Sequence, residues 1–372
     1  LSTALPRAGT PEGASIRHCR GRVPQRGFLY GIALSRVSET DFGAYVLLDD
    51  SCVLFTPPLS KMYRCSLGIF DYDFGIFLLY TSTLGVGAGA HRLWSHRAYR
   101  ARWPLRLLLA VMQTASFQNH IYEWARDHRY IHHKFSETDA DPHNARRGFF
   151  FAHMGWLMLR KHKDVLEKGA SIDMSDLEQD PIVMFQKKTF LIIMPLLCFI
   201  IPAWVPVWGW GEDPWQSWYT AAIWRYTVSL HGTWLLNSVA HLWGNKPYDR
   251  NIYARDIKAV AIVTGGEGWH NYHHVFPWDY KAGELGDYSS NLSTAFIDFA
   301  AKCGLAYDLK SVSKEMIERR AARTGDGSHP SANSKKVDDN DAHDENPIWG
   351  WDDKDMTEEE KQLSKITFTI RK

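Results

Sequence analysis

The chain has 372 residues, carries 43 Lys and Arg against 42 Asp and Glu, and is 45% hydrophobic. So even a charge balance gives no global pull toward nucleic acid, and the length alone allows two ordinary domains or one larger assembly. Five cysteines, far apart and without a paired spacing, read as reduced thiols of a cytosol-facing protein and exclude a disulfide framework.

In chain order, residues 1–65 offer no helix able to cross a bilayer. Phe28–Leu34 is too short, Asp49-Asp50 interrupts the next apolar run, and no basic-then-apolar opening marks a secretory signal. From Phe74 to Ala90 the chain is uncharged and reads as a span leading straight into His91. The run Leu105–Phe117 is too short to cross and reads as an interfacial helix. Residues 144–189 are polar and basic. Phe190–Gly211 then runs without a charge, long enough for the roughly 30 Å hydrocarbon layer, and its three prolines suit a helix packed in a membrane. A second candidate span, Trp215 to Trp243, carries Arg225, His231 and His241, which implies one face turned inward. The turn between these two spans is acidic and flanked by tryptophans, whereas the preceding segment is rich in Lys and Arg, so the basic side is expected to be cytosolic. A charged tail from about residue 326 reads as lacking fixed structure.

Eight of the 17 histidines fall in three short clusters, His91 with His96, His128 with His132 and His133, and His270 with His273 and His274. Counting crossings puts all three on one membrane face. Imidazole suits several metals, but eight converging rings exceed the about four ligands of one zinc and fit two ions with open positions, which points to iron and oxygen chemistry. Adjacent pairs such as His132-His133 and His273-His274 diverge by about 100° on a helix, so one helix can serve two ions. His241 lies one turn after Asn237 and is a candidate ninth ligand. Solitary histidines such as His120, His143, His153 and His231 read as structural or solvated.

The motifs His91-Arg-Leu-Trp-Ser-His96, Asp127-His-Arg, Asp141-Pro-His-Asn144, Asn237-Ser-Val-Ala-His241 and Gly266-Glu-Gly-Trp-His-Asn-Tyr-His-His274 resemble those of the membrane-bound acyl-CoA desaturases, nearest to the insect type of the stearoyl-CoA Δ9 group. The resemblance covers about Leu84 to Ser328. It implies an all-α integral membrane protein of the endoplasmic reticulum, four transmembrane helices under a cytosolic helical cap with a di-iron site. The ligands it implies are His91, His96, His128, His132, His133, His241, His270, His273 and His274, with Asn237 acting through water. It further implies that O2 and two electrons from cytochrome b5 and its NADH-dependent reductase convert a saturated acyl-CoA to a cis alkene. By the same likeness Gln118, Trp124, Thr233 and Trp234 line an acyl tunnel, Arg126, Asp127, Arg160 and Lys161 contact the CoA end, and Leu79 and Thr83 close the far end.

The sequence departs from the family in two places. Three residues, not two, separate His128 from His132-His133. An undistorted helix would then turn His128 away by about 100°, unless a π-bulge absorbs the extra residue. The first family helix is also not legible, which leaves 1–65 as a divergent or mispredicted region before a desaturase domain at 66–325. A histidine-box hydroxylase, a non-catalytic relative and a zinc enzyme stay open as alternatives.

Overall fold

A computed structural model describes residues 69–170, 172–331 and 347–369. The expectations for 1–65 and for most of the tail's first part, 332–346, lie outside the described residues. What is described is mostly helical, with two small two-stranded sheets.

Helix α1 (Ile69–Leu84) continues without a break into a π-helical stretch, Gly85–Ser95, that ends beside His96. Glycines there permit a close helix contact. A Cβ on Gly85 would lie 2.3 Å from the backbone nitrogen of Gln113, so any side chain would push away α2 (Trp103–Ser116). Gly87 is similarly confined by Glu267 and Ser293. The chain reverses at Phe117 and Asn119, both with positive φ, and returns through α3 (Ile121–Arg126) and a π-helical segment, Asp127–His132.

That reversal revises the reading of 105–117 as a surface-lying helix. Phe117, at the far end of α2, packs on Phe190, Phe199 and Tyr226, so α2 is wedged between the long helices. Its exposed side is apolar, with Trp103, Leu107, Leu108 and Val111. Because the chain goes in and comes back, the first two histidine clusters still share one side.

After the short helix α4 (Phe149–His153), α5 (Pro181–Pro195), a π-helical turn and α6 (Ile201–Trp210) form one helix of 30 residues that is long and apolar enough to cross a membrane. At about 1.5 Å per residue it spans about 45 Å, more than the hydrocarbon layer. Leu191 and Ile192 are 65% and 71% exposed, which is an apolar surface that water would penalise and lipid would not. Gly211 in the left-handed region ends this helix, and Asp213 caps the next by accepting from Trp215 and Gln216 N–H. Helix α7 (Pro214–Ser217), a π-helical stretch Trp218–Trp224 and α8 (Arg225–Leu242) form the return. The inward polar face is present. Arg225 is 1% exposed and donates to Ser82 Oγ, the Cys198 carbonyl and the Ala221 carbonyl, tying together three of the long helices.

A cap holds α9 (His270–Val275), α10 (Leu292–Lys302) and the two sheets. Strand β1 (Arg100–Ala101) pairs with β2 (Ala306–Tyr307), and β3 (Leu309–Val312) with β4 (Ser364–Thr367). One apolar core, including Trp94, Tyr99, Leu109 and Ile297, backs the first two histidine clusters, and a second, including Tyr272, Trp278, Ile317 and Met356, backs the third. The tail corrects an expectation here. The composition of the tail predicts no fixed structure for 347–369, but Ile348, Trp351, Met356 and Leu363 pack against this second core.

Candidate metal centre

Nine histidines arrive from four helical segments. His91 belongs to the π-helical Gly85–Ser95 and His96 follows it, with His96 N–H donating to the His91 carbonyl at 3.1 Å. This bond five residues apart brings the two rings together edge to face, with centroids 4.8 Å apart, where a regular α-helix would splay them. His128 and His132 lie on the second π-helical segment, with His133 next to it. The anticipated bulge is therefore present, and it turns His128 back toward the others despite the extra residue. His241 sits in the last turn of α8, and α9 carries His270, His273 and His274.

The rings form two neighbouring clusters. In the first, His91 Nε2 is 2.9 Å from His273 Nε2, His96 Nε2 is 2.9 Å from His128 Nε2, and His133 Nε2 is 3.1 Å from His273 Nε2. In the second, His241 Nε2 is 2.9 Å and His274 Nε2 3.2 Å from His270 Nε2, with His132 alongside. The doubled histidines split as their angular separation requires, His132 and His274 to one cluster, His133 and His273 to the other.

The outer ring nitrogens of four of these histidines, His91, His96, His132 and His241, face a partner. Glu267 lies 2.7 Å from His91 Nδ1 and 2.8 Å from Arg92, Glu137 lies 2.8 Å from His241 Nδ1, and Asp141 lies 3.5 Å from His132 Nδ1. His96 Nδ1–H donates to the Trp349 carbonyl. Anchoring the proton on Nδ1 leaves the Nε2 lone pair facing inward. Burial, reinforced by neighbouring rings, lowers the pKa of His128, His133, His270, His273 and His274 well below the usual value, so these rings are neutral at pH 7. Burial alone would raise Glu267, but Arg92 and His91 outweigh it and hold the carboxyl at about 2. A buried cage of inward lone pairs, with anionic groups only behind it, is what a pair of cations would satisfy. The donor set fits a transition metal that accepts neutral nitrogen.

Beside both clusters opens an apolar cavity lined by Leu79, Thr83, Trp124, Thr233, Asn237 and His270, among others. Trp124 stacks on His128 with centroids 4.8 Å apart, and Gln118 donates to Thr233 Oγ1 at 2.9 Å. Trp234, expected to line the tunnel, instead has its ring against His153 and His231, because it projects from α8 toward α4. Asp127 bridges Arg126 at 2.9 Å and Lys161 at 2.8 Å, and Arg160 and Lys161 line a polar depression with Asn144, Arg147 and Trp156. Sequence reasoning did not single out Glu137, Glu267 or Trp349. Glu267 and Asp141 stand inside quoted motifs, so their position was a usable signal, whereas nothing in the sequence tied Trp349 to His96.

A family model described as fatty acid desaturase matches residues 74–293. The chain is 58% identical over 287 residues to an acyl-CoA Delta-9 desaturase of Acheta domesticus, covering 77% of this chain and 75% of that protein. It is 55% identical over 294 residues to an acyl-CoA Delta12-desaturase of the same species, covering 79% and 77%. Against stearoyl-CoA desaturase 5 of Bos taurus it is 57% identical over 252 residues, covering 68% and 75%.

Proposed function

The chain belongs to the fatty acid desaturase family and is an acyl-CoA desaturase, and from that premise we propose that it places a cis double bond at the Δ9 position of a saturated acyl-CoA. In this reading two irons are held, one by His91, His96, His128, His133 and His273, the other by His132, His241, His270 and His274 with Asn237 through water. When bound, the irons supply the reduction of O2. The overall balance is one acyl-CoA, one O2, two electrons and two protons giving one alkene and two waters, with the electrons from cytochrome b5 and its reductase.

The protein's part is positioning. Two C–H bonds among many equivalent methylenes must lie against the metal pair, and misplacement by about 1 Å can cost about 10²-fold in rate. The cavity wall at Trp124 and Thr233 would hold the reacting carbons below the histidines, with Gln118 bracing Thr233 through its hydrogen bond. Leu79 and Thr83 would stop the methyl end, and Arg126, Asp127, Arg160 and Lys161 would engage the CoA end. Trp234 would then brace α8 from outside the cavity. We place the protein in the endoplasmic reticulum membrane with the histidine face cytosolic.

The observation that carries this reading is the pair of histidine clusters opening onto one apolar cavity. Its test is expression in yeast lacking its own desaturase, with double-bond positions mapped. Growth without added unsaturated fatty acid and Δ9 monoenes are expected. A Δ11 or Δ12 product would reject the position, and saturated lipids with no rescue would reject the activity.

A further inference from the structure

The segment 347–369 runs directly over His96. Trp349 accepts the His96 Nδ1–H on its carbonyl, and Trp351 N–H donates to the His96 carbonyl at 2.9 Å. Gly350 between them is so close that a Cβ would come within 2.5 Å of the His96 oxygen and 2.8 Å of its Cα. Only glycine lets the two backbones lie this near. The Trp349 ring is held by the guanidinium groups of Arg97 and Arg129, 5.0 and 4.9 Å from its centroid. Asp353 accepts the Trp349 N–H at 3.0 Å and sits 3.2 Å from Lys134, the residue after His133, which Asp355 also pairs. Farther on, β4 zips onto β3 from Ser364 to Thr367, and Trp278 Nε1–H donates to Ser364 Oγ at 2.9 Å.

We infer that this C-terminal strap is a built part of the metal centre, in which the Trp349 carbonyl sets the tautomer and ring angle of His96. Three other inner histidines, His91, His132 and His241, are backed by carboxylates from within 74–293. His96 is backed by a main-chain carbonyl from the far end of the chain. Which imidazole nitrogen faces a metal is decided by the hydrogen bond that the other makes, so a displaced strap frees the His96 ring to flip or change tautomer. Residues 349–353 are thus positioning residues, and firm metal retention requires the C-terminal segment to be docked. The inference rests on the reading of His96 as a ligand.

The test uses the full chain, purified in detergent and compared with Gly350→Val, whose side chain collides with His96, and Asp353→Lys, which repels Lys134 and removes the acceptor for Trp349. We expect each variant to lose iron to a ferrous chelator about 10–100-fold faster, the usual cost of removing an orienting partner. The ligand-field bands of the cobalt-substituted protein should shift, and kcat should fall with KM for acyl-CoA unchanged. If Gly350→Val does not fold, Asp353→Lys decides alone. Unchanged iron release and an unchanged cobalt spectrum in the folded variants would overturn the inference, whatever happens to thermal stability. A parent chain that takes up neither iron nor cobalt would overturn the metal reading itself.

Discussion

The carboxylates behind the histidines do more than neutralise charge. Glu267 touches both His91 and Arg92, so Glu267→Gln keeps the shape but weakens the anchor for the His91 proton and leaves Arg92 without its anion. Iron per chain, measured after dialysis against chelator, should fall, with activity down about 10–100-fold; full iron occupancy would contradict this role. The pH response follows from the buried rings. Their folded pKa lies below the unfolded value of 6.5, so the unfolded chain binds more protons once pH drops below about 6.5. Metal-stripped protein should therefore lose thermal stability steadily from pH 7 to pH 5. A melting midpoint that stays flat over that range would show that the rings already take up protons in the fold.

At the scale of elements, π-helical geometry is the recurring device. Gly85–Ser95 and Asp127–His132 both bring together histidines five positions apart, and the second makes room for one more residue than the family spacing. Deleting Ile131 should let that segment relax to an α-helix with His128 still facing the cluster, because three residues of α-helix nearly complete a turn. Iron binding and activity within a few-fold of the parent are expected, and complete loss would mean that the bulge itself is required. The glycine contact allows no such exchange. Gly85→Leu must separate α1 from α2 and should destabilise the protein by at least the roughly 1–3 kcal/mol typical of overpacking, read as a lower melting midpoint in detergent.

For the molecule as a whole, the long helices and the residues of the histidine clusters enclose one apolar cavity, which in the proposed function takes the acyl chain. Thr83 lines the cavity beside Gly265, so under the proposed function its bulk would set the depth available to an acyl chain. Thr83→Phe should shift the products toward shorter acyl chains at unchanged iron content. A product profile unchanged in chain length would place the closed end elsewhere. Arg225 ties the helices around that cavity together. A buried guanidinium donating to acceptors on two other helices resists their separation, and Arg225→Met should strand Ser82 Oγ and the Cys198 carbonyl at about 1–3 kcal/mol for each left unpaired, read as a lower melting midpoint in detergent.

The sequence was enough to find the histidines, to place the long apolar helices and to put the three clusters on one side, because residue type, spacing and the parity of crossings are all local or countable. It also allowed for a bulge at His128–His133, since one extra residue in a helix must either be absorbed or turn His128 away. It could not show that α2 plunges and returns, that Trp234 faces α4, or that Glu137 backs His241, because these depend on which helices touch. The strap is the plainest case. Its composition predicts a tail without fixed structure, and only the assembled fold offers the His96 backbone, the two guanidinium groups and the β3 edge that offset the entropy of ordering it. The identity of the clustered histidines was thus written along the chain, whereas the orientation of their rings was decided by contacts between residues far apart in it.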